Sequence, residues 1–315
     1  MQSSFFSNLI VPIVGILFLI RSCRGVMRLS LTIVAAFSTV AFTQIASAAD
    51  LPVKAAPAPV STSYNWAGWY VGANAGYHAG GGSVTTAADP GPFAFSFDPE
   101  SSVAASLATT AISPKQRGFI GGGQIGYNLQ WAPQWLAGVE ADFQGLSGEG
   151  SATLSSVSGV PGFPAETFVS TTTVTKKIHW LGTVRGRLGF LITPSLLAYG
   201  TGGLAYGHVT ASTGIAQTDT GILPGPVAGT GTTAGSISQT RAGWALGGGA
   251  EWKFAPQWSV KAEYLHYDLG SVSWSSPNLV VNVAGFAAPT FSTVNVRSST
   301  RFQGDIGRVG INYKF

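Results

Sequence analysis

The sequence predicts an all-β chain, an eight-stranded antiparallel transmembrane β-barrel with short turns at one end and four long loops at the other. Three observations carry that prediction. Segments in which apolar and polar residues alternate recur along the chain, the connections between them alternate in length, and charge is scarce although no helix long enough to cross a bilayer follows residue 50.

The scarcity of charge sets the class. Only 10% of the 315 residues are charged and the mean hydropathy is +0.27, against ~25% charge for an ordinary soluble domain. Something other than water must cover part of the surface. Without a membrane-spanning helix, a closed barrel is the remaining way to pair every backbone polar group inside lipid. The 42 glycines are roughly twice the usual number, which suits tightly packed, curved strands. The basic balance is a property of the leader. Residues 1–48 hold Arg21, Arg24 and Arg28 and no acid, and removing them leaves 14 basic against 13 acidic residues. Such a chain offers no basic surface for nucleic acid. Its one cysteine, Cys23, lies in the segment expected to be removed.

Taken in order, residues 1–26 read as an upstream extension that precedes the true start at Met27. Residues 27–48 read as a signal peptide, with Met27-Arg28 as its charged start, an apolar stretch from Leu29 to Ile45, and Ala46-Ser47-Ala48 as its cleavage site. Residues 49–65, rich in Pro and Ala, read as a periplasmic linker. Residues 66–315 form the barrel, with strands expected at 66–82, 116–131, 134–147, 175–191, 195–210, 241–254, 257–273 and 301–315. Short turns carry Pro133, Pro194 and Pro256. The long connections, 84–115, 148–174, 211–240 and 274–300, are Ser-, Thr- and Gly-rich and read as extracellular loops, with no fixed conformation expected over Thr230–Ser238.

Side-chain parity separates two faces. Trp135, Ala137, Val139, Ala141 and Phe143 oppose Glu140 and Asp142. Trp244, Leu246, Ala250, Trp252 and Phe254 oppose Glu251 and Lys253, and Trp258, Val260, Ala262 and Tyr264 oppose Lys261 and Glu263. In the fourth strand Ile178, Trp180, Val184, Leu188 and Phe190 oppose Lys177, His179, Arg185 and Arg187. A basic residue at the midplane lipid face costs ~2–4 kcal/mol, so Glu140, Asp142, Arg185, Arg187, Glu251, Lys253, Lys261, Glu263 and Arg308 are expected in the lumen. An eight-stranded barrel is only wide enough for side chains to fill. These charges are therefore either a network holding the interior together or the lining of a narrow pore. In the last strand Gly307, Val309, Ile311, Tyr313 and Phe315 form the apolar face. Residues 301–306 fall out of phase with it, as a bulge would make them. Tyr313 and the terminal Phe315 resemble the signal by which the barrel-assembly machinery receives its substrates.

Several motifs together carry a resemblance: Trp69-Tyr70-Val71-Gly72, the run Gly121 to Asn128, the Trp-Leu-Gly-Thr-Val-Arg-Gly-Arg stretch from Trp180 to Arg187, Tyr199 to Gly207, Lys261-Ala262-Glu263-Tyr264, and Asn312-Tyr313-Lys314-Phe315. From about Ala49 to Phe315 the chain resembles the outer membrane immunogenic, or small porin-like, β-barrel proteins of Gram-negative bacteria. The resemblance implies an outer-membrane location and exposed, antigenic loops.

Four histidines, His78, His179, His208 and His266, fall near the long-loop ends of their strands. His78, His179 and His208 are candidate ligands for a metal or haem; parity sets His266 on the opposite face from His179. Some relatives implied by the resemblance are associated with haem, yet no cofactor is expected as a standing component. No nucleophile motif accompanies His266 and Asp268, and the glycine runs at 121–123 and 247–249 precede no helix, so neither an enzyme nor a phosphate loop is expected. The functional expectation is an envelope barrel with passive diffusion of small hydrophilic solutes as a further role. A binding protein acting through its loops, as adhesin, antigen or haem binder, is the alternative. The expected partners are outer-membrane lipid and the assembly machinery.

Overall fold

The computed structural model describes residues 65–91, 99–220, 228–283 and 291–315. The leader, the cleavage site and the linker through residue 64 lie outside these residues. Among the described residues strands dominate: β1 (Gly68–Gly81), β2 (Val84–Pro90), β3 (Thr110–Ile112), β4 (Gln116–Gln130), β5 (Trp135–Leu146), β6 (Glu149–Val160), β7 (Phe163–Thr193), β8 (Leu196–Thr220), β9 (Ala228–Lys253), β10 (Trp258–Ser275), β11 (Leu279–Val283) and β12 (Phe291–Lys314), with one helix, α1 (Pro99–Ala108).

Eight of the strands close a ring in the order β1-β4-β5-β7-β8-β9-β10-β12, every neighbour antiparallel, and β12 returns to β1 through pairs from Tyr70↔Lys314 to Gly81↔Gln303. Closure leaves no unpaired edge to face lipid. Both ends of the ring, Gly68 and Lys314, fall on the short-turn side, where the Phe315 amide donates to the Trp69 carbonyl.

Two belts of aromatic residues mark the membrane. The lower joins Trp69 to Tyr127, Trp135 to Trp131 and Phe190, and Trp258 through Tyr313 to Phe315. The upper joins Tyr77 to Phe119 and Phe143 through Trp180 to Tyr206. On β1 and β5 the belts lie eight residues apart, roughly 26 Å along a strand at ~3.3 Å per residue. With the ~35–45° tilt of barrel strands that length projects to roughly 20 Å along the membrane normal, a little less than the ~25 Å apolar band of an outer-membrane barrel. On β7 the spanning part is thus 180–190.

The strands do not stop at the upper belt. β7 runs for 31 residues, β8 for 25 and β9 for 26, whereas ~9–11 cross the membrane. The long connections are therefore largely β-structured rather than loops. β8 and β9 stay paired out to Thr220↔Ala228, so Thr230–Ser238, expected to lack structure, is a regular strand. β6 folds back on β7, and β2 continues β1 upward against β12 while pairing with β3. Helix α1 packs against β2, β6, β7 and β12. It buries Ala104 against Val160, Phe168 and Val281, and Ala108 against Ile215, Leu279 and Val296.

Two details of phase differ from the sequence reading. On β7 a bulge between Ile178 and Trp180 shifts the register, so Ile178 turns inward and buried while Lys177 and His179 turn outward. An inserted residue exchanges the faces of everything beyond it. On β12 there is no bulge at 301–306. The parity is continuous, with Phe302, Ile306 and Arg308 all inward. The change is one of chemistry: above the upper belt water replaces lipid, so Arg301 and Asp305 face out and apolar residues face in. The irregularity in this region lies opposite, in β10 between Asp268 and Ser271, next to Gly270 at φ +77°.

Candidate functional site

The strand ladder brings the charges together before any side chain is placed. Glu140 on β5 lies opposite Arg185 on β7, Glu263 on β10 opposite Arg308 on β12, and Lys261 on β10 opposite Glu251 on β9. All point inward and all are buried. Arg185 is the hub. One of its terminal nitrogens meets Glu140 and Asp142 at 2.8 Å each, the other meets Glu263 at 3.0 Å, and its Nε donates to Thr183. Arg308 bridges Glu263 at 2.5 Å and Asp142 at 2.8 Å and donates to Gln144. The Lys261 ammonium sits 2.8 Å from both Glu140 oxygens. Arg187 pairs with Glu251 at 2.6 Å and lies 4.3 Å from the Tyr199 ring centre.

Four acids thus face four bases. Neutral hydroxyls and amides occupy much of what remains: Tyr70 donates to Glu140, Tyr199 to Glu263, Thr183 to Asp142, and Ser259 and Asn312 to Glu251. Balance matters here because an unpaired buried charge costs several kcal/mol. Glycine makes room for the tyrosines. A Cβ on Gly126 would run into the Tyr70 ring, and one on Gly249 would lie 3.0 Å from the Tyr199 hydroxyl.

Lys253, expected among these charges, stands apart from them. Its ammonium donates to the Asn65 carbonyl at 2.7 Å and lies 4.8 Å from the Trp66 ring centre, at the periplasmic mouth. Trp66 joins it there, on the same inward parity as Tyr70. It is 1% exposed, packs with Leu136, Leu191, Leu197 and Tyr199, and its indole donates to the Pro194 carbonyl at 3.0 Å. The segment leading into β1 therefore stoppers the lumen from below.

Above the charges the interior is mainly apolar, with His78, Gln116 and Thr172 buried among the hydrophobic side chains. Leu181, Leu265, Tyr267, Leu269, Phe302 and Ile306 belong to one buried cluster that continues upward through Val174, Ile178, Val209 and Trp274. One charge is set into it. The Lys176 ammonium, above the membrane, donates to the carbonyls of Gly81 and Arg301 and lies 4.6 Å from the Phe302 ring centre; burial pushes it down to about 8. Nearer the tip, Asp219 lies beside Glu166 and Glu100, and burial pushes its carboxyl up to about 6.

The histidines do not form one site. His78 is buried in the lumen with Nε2 2.8 Å from the Ser147 carbonyl oxygen. His179 and His208 sit side by side on the outer wall, ring centres 5.4 Å apart. His266 is also on the outer wall, where its own parity puts it, and the expected separation from His179 is lost because the bulge turns His179 outward; the His266 Nδ1 lies 2.8 Å from Asp305, which accepts from Tyr264 as well. Among the described residues no three metal-ligating side chains converge.

A closed antiparallel ring with an apolar outer band between aromatic belts and a filled polar-then-apolar interior defines a transmembrane β-barrel. Residues 46–312 match the outer membrane protein beta-barrel domain, and the chain belongs to that family. It is 38% identical over 279 residues to the 31 kDa outer-membrane immunogenic protein of Brucella melitensis, covering 87% of this chain and 95% of the relative. It is 32% identical to the 22 kDa outer membrane protein of Rhizobium leguminosarum over 49% of this chain and 58% of that one. Among solved structures, OprG of Pseudomonas aeruginosa matches 79% of this chain and 97% of its own at 12% identity and a TM-score of 0.35, a likeness on which nothing further rests. The protein is an integral barrel of the outer membrane.

Proposed function

We propose that this protein is a non-conducting, non-enzymatic barrel that serves the envelope structurally and meets its surroundings through the β-structured wall it raises above the membrane. One observation supports this reading above others: the lumen is occupied from end to end, by Trp66 below, the balanced ion network in the middle and the apolar cluster above. Passive diffusion of hydrophilic solutes would require parting both the network and the cluster. The relatives named as immunogenic proteins fit a wall exposed to the outside.

Single-channel recording of the folded protein in planar bilayers tests the reading. A silent membrane is expected, for the native chain and for Trp66→Ala alike. Reproducible conductance steps that change with Arg185→Lys or Glu263→Gln would make the network a pore lining and reject the proposal.

A further inference from the structure

We propose that His179 and His208 form a two-histidine site for a divalent transition-metal cation of the Zn²⁺ or Cu²⁺ class on the outer wall, just above the upper aromatic belt. The bulge on β7 is the first support. It turns His179 from the inward parity its neighbours would give it and places it, without a ladder partner of its own, beside His208 on β8. Bulges re-aim side chains in this way next to functional sites.

The spacing is the second. Imidazole nitrogens bind such metals at about 2.1 Å, which places each ring centre about 3.2 Å from the ion, so two rings at a tetrahedral angle are about 5.2 Å apart. The observed separation is 5.4 Å.

Orientation is the third. The His179 Nε2 lies 3.3 Å from the Thr210 hydroxyl and the His208 Nε2 3.1 Å from the Ser238 hydroxyl. Thr210 and Ser238 are themselves cross-strand partners, so both ring nitrogens are aimed at one pair of hydroxyls. Thr210 and Ser238 also line a depression of about 170 Å³ with Thr175, Ser212 and Ser236, and their hydroxyl oxygens are candidates for the remaining ligands. Trp180 lies beside His208 with ring centres 6.4 Å apart and an interplanar angle of 18°. Lys177, the nearby cation on β7, lies opposite Glu149 of β6, an acid that offsets its repulsion of a metal. Imidazole suits Zn²⁺ and Cu²⁺ and ill suits Mg²⁺ or Ca²⁺, which sets the class of ion.

The test uses the full-length chain folded in lipid nanodiscs, with Cu²⁺ as the probe and electron paramagnetic resonance as the readout. One equivalent should bind with the nitrogen coupling of two imidazoles, and excess Zn²⁺ should displace it. His179→Ala and His208→Ala, both surface changes, should each reduce the coupling to one imidazole and weaken binding at least about tenfold, the scale on which even residues behind metal ligands count. His266→Ala should leave signal and affinity unchanged. A one-imidazole spectrum in the native chain, a two-imidazole spectrum that survives either substitution, or loss of the signal in His266→Ala would overturn the proposal. Barrel integrity in each variant is read from heat-modifiable migration on gels.

Discussion

Replacing Arg185 by Met is the sharpest probe of the lumen. The guanidinium has no solvent exposure and touches three carboxylates, those of Glu140, Asp142 and Glu263, at 2.8–3.0 Å. Methionine fills most of the volume but leaves four acids facing three bases. Removing one partner of a buried pair costs ~3–5 kcal/mol, and with three carboxylates affected the upper part of that range is expected. Glu140 retains Lys261, while Glu263 and Asp142 are left to share Arg308; Asp142, which also accepts from the neutral Thr183, is the acid to neutralise with it. In Arg185→Met/Asp142→Asn the balance returns, and the amide introduced at position 142 still offers an oxygen to Arg308 and Thr183. The double variant should therefore be more stable than the single, with a coupling of ~1–3 kcal/mol, typical of residues in one network. Urea unfolding in lipid vesicles, followed by tryptophan fluorescence and by gel mobility, measures both. A single-variant loss below about 1 kcal/mol, well under the buried-pair range, or a double variant that loses the plain sum of the two singles, would refute the view that these charges stabilise one another.

Three further outcomes follow from the same geometry. Trp66→Ala should destabilise the barrel by ~3–5 kcal/mol, as for other fully buried aromatics, and urea unfolding is again the measurement. Gly126→Val drives a side chain into the Tyr70 ring and should cost ~1–3 kcal/mol or more, while Gly307→Ala, with nothing within 4 Å, should cost little; equal losses in the two would count against close packing of the tyrosine. At the extracellular tip the folded protein holds a proton on Asp219 up to about pH 6, above the unfolded value near 3.8. The native state then binds more protons than the unfolded one in that window, and stability falls as pH rises from about 4 through 6. Amide exchange across α1 and the end of β8, corrected for intrinsic rate, should be slower at about pH 5 than at about pH 7.5, on either side of that titration, and Asp219→Asn should remove the difference.

Much of the barrel was legible because a strand's period is two and the lipid face admits almost no charge. Glu140 with Asp142, Glu251, and Lys261 with Glu263 were placed inward on parity alone, and the structure has them there. Lys253 obeyed the same parity, but parity says nothing about height along the axis, and it serves the mouth. Trp66 falls in the expected strand 66–82 with the inward parity of Tyr70, but parity does not show that it closes the lumen against Leu136, Leu191 and Leu197. His179 was misplaced because a bulge leaves no mark in composition. The structure of the long connections was hidden by their chemistry, since Ser, Thr, Gly and Ala read as loop when counted. Their parity did carry a signal: Ala205, Val209, Ala211 and Ile215 share one face of β8, which a search for inverted alternation beyond the aromatic belt would find.

That inversion explains why the interior is built in two layers. Within the membrane lipid claims the apolar side chains, so the polar ones must turn into a lumen too narrow for bulk water, and only mutual neutralisation makes such a lumen stable. Above the membrane water claims most polar side chains, and the same lumen becomes a mainly hydrophobic core into which Lys176 and a few polar groups are set. The two layers oppose opposite kinds of solute. A charged solute that could exchange partners within the ion network still has to shed its water to cross Leu265, Phe302 and Ile306. An apolar one that enters that cluster meets Arg185 and Glu140, whose pairs it cannot replace. On the proposed non-conducting reading, loosening either layer alone leaves the other closed, so a conducting variant would need changes in both.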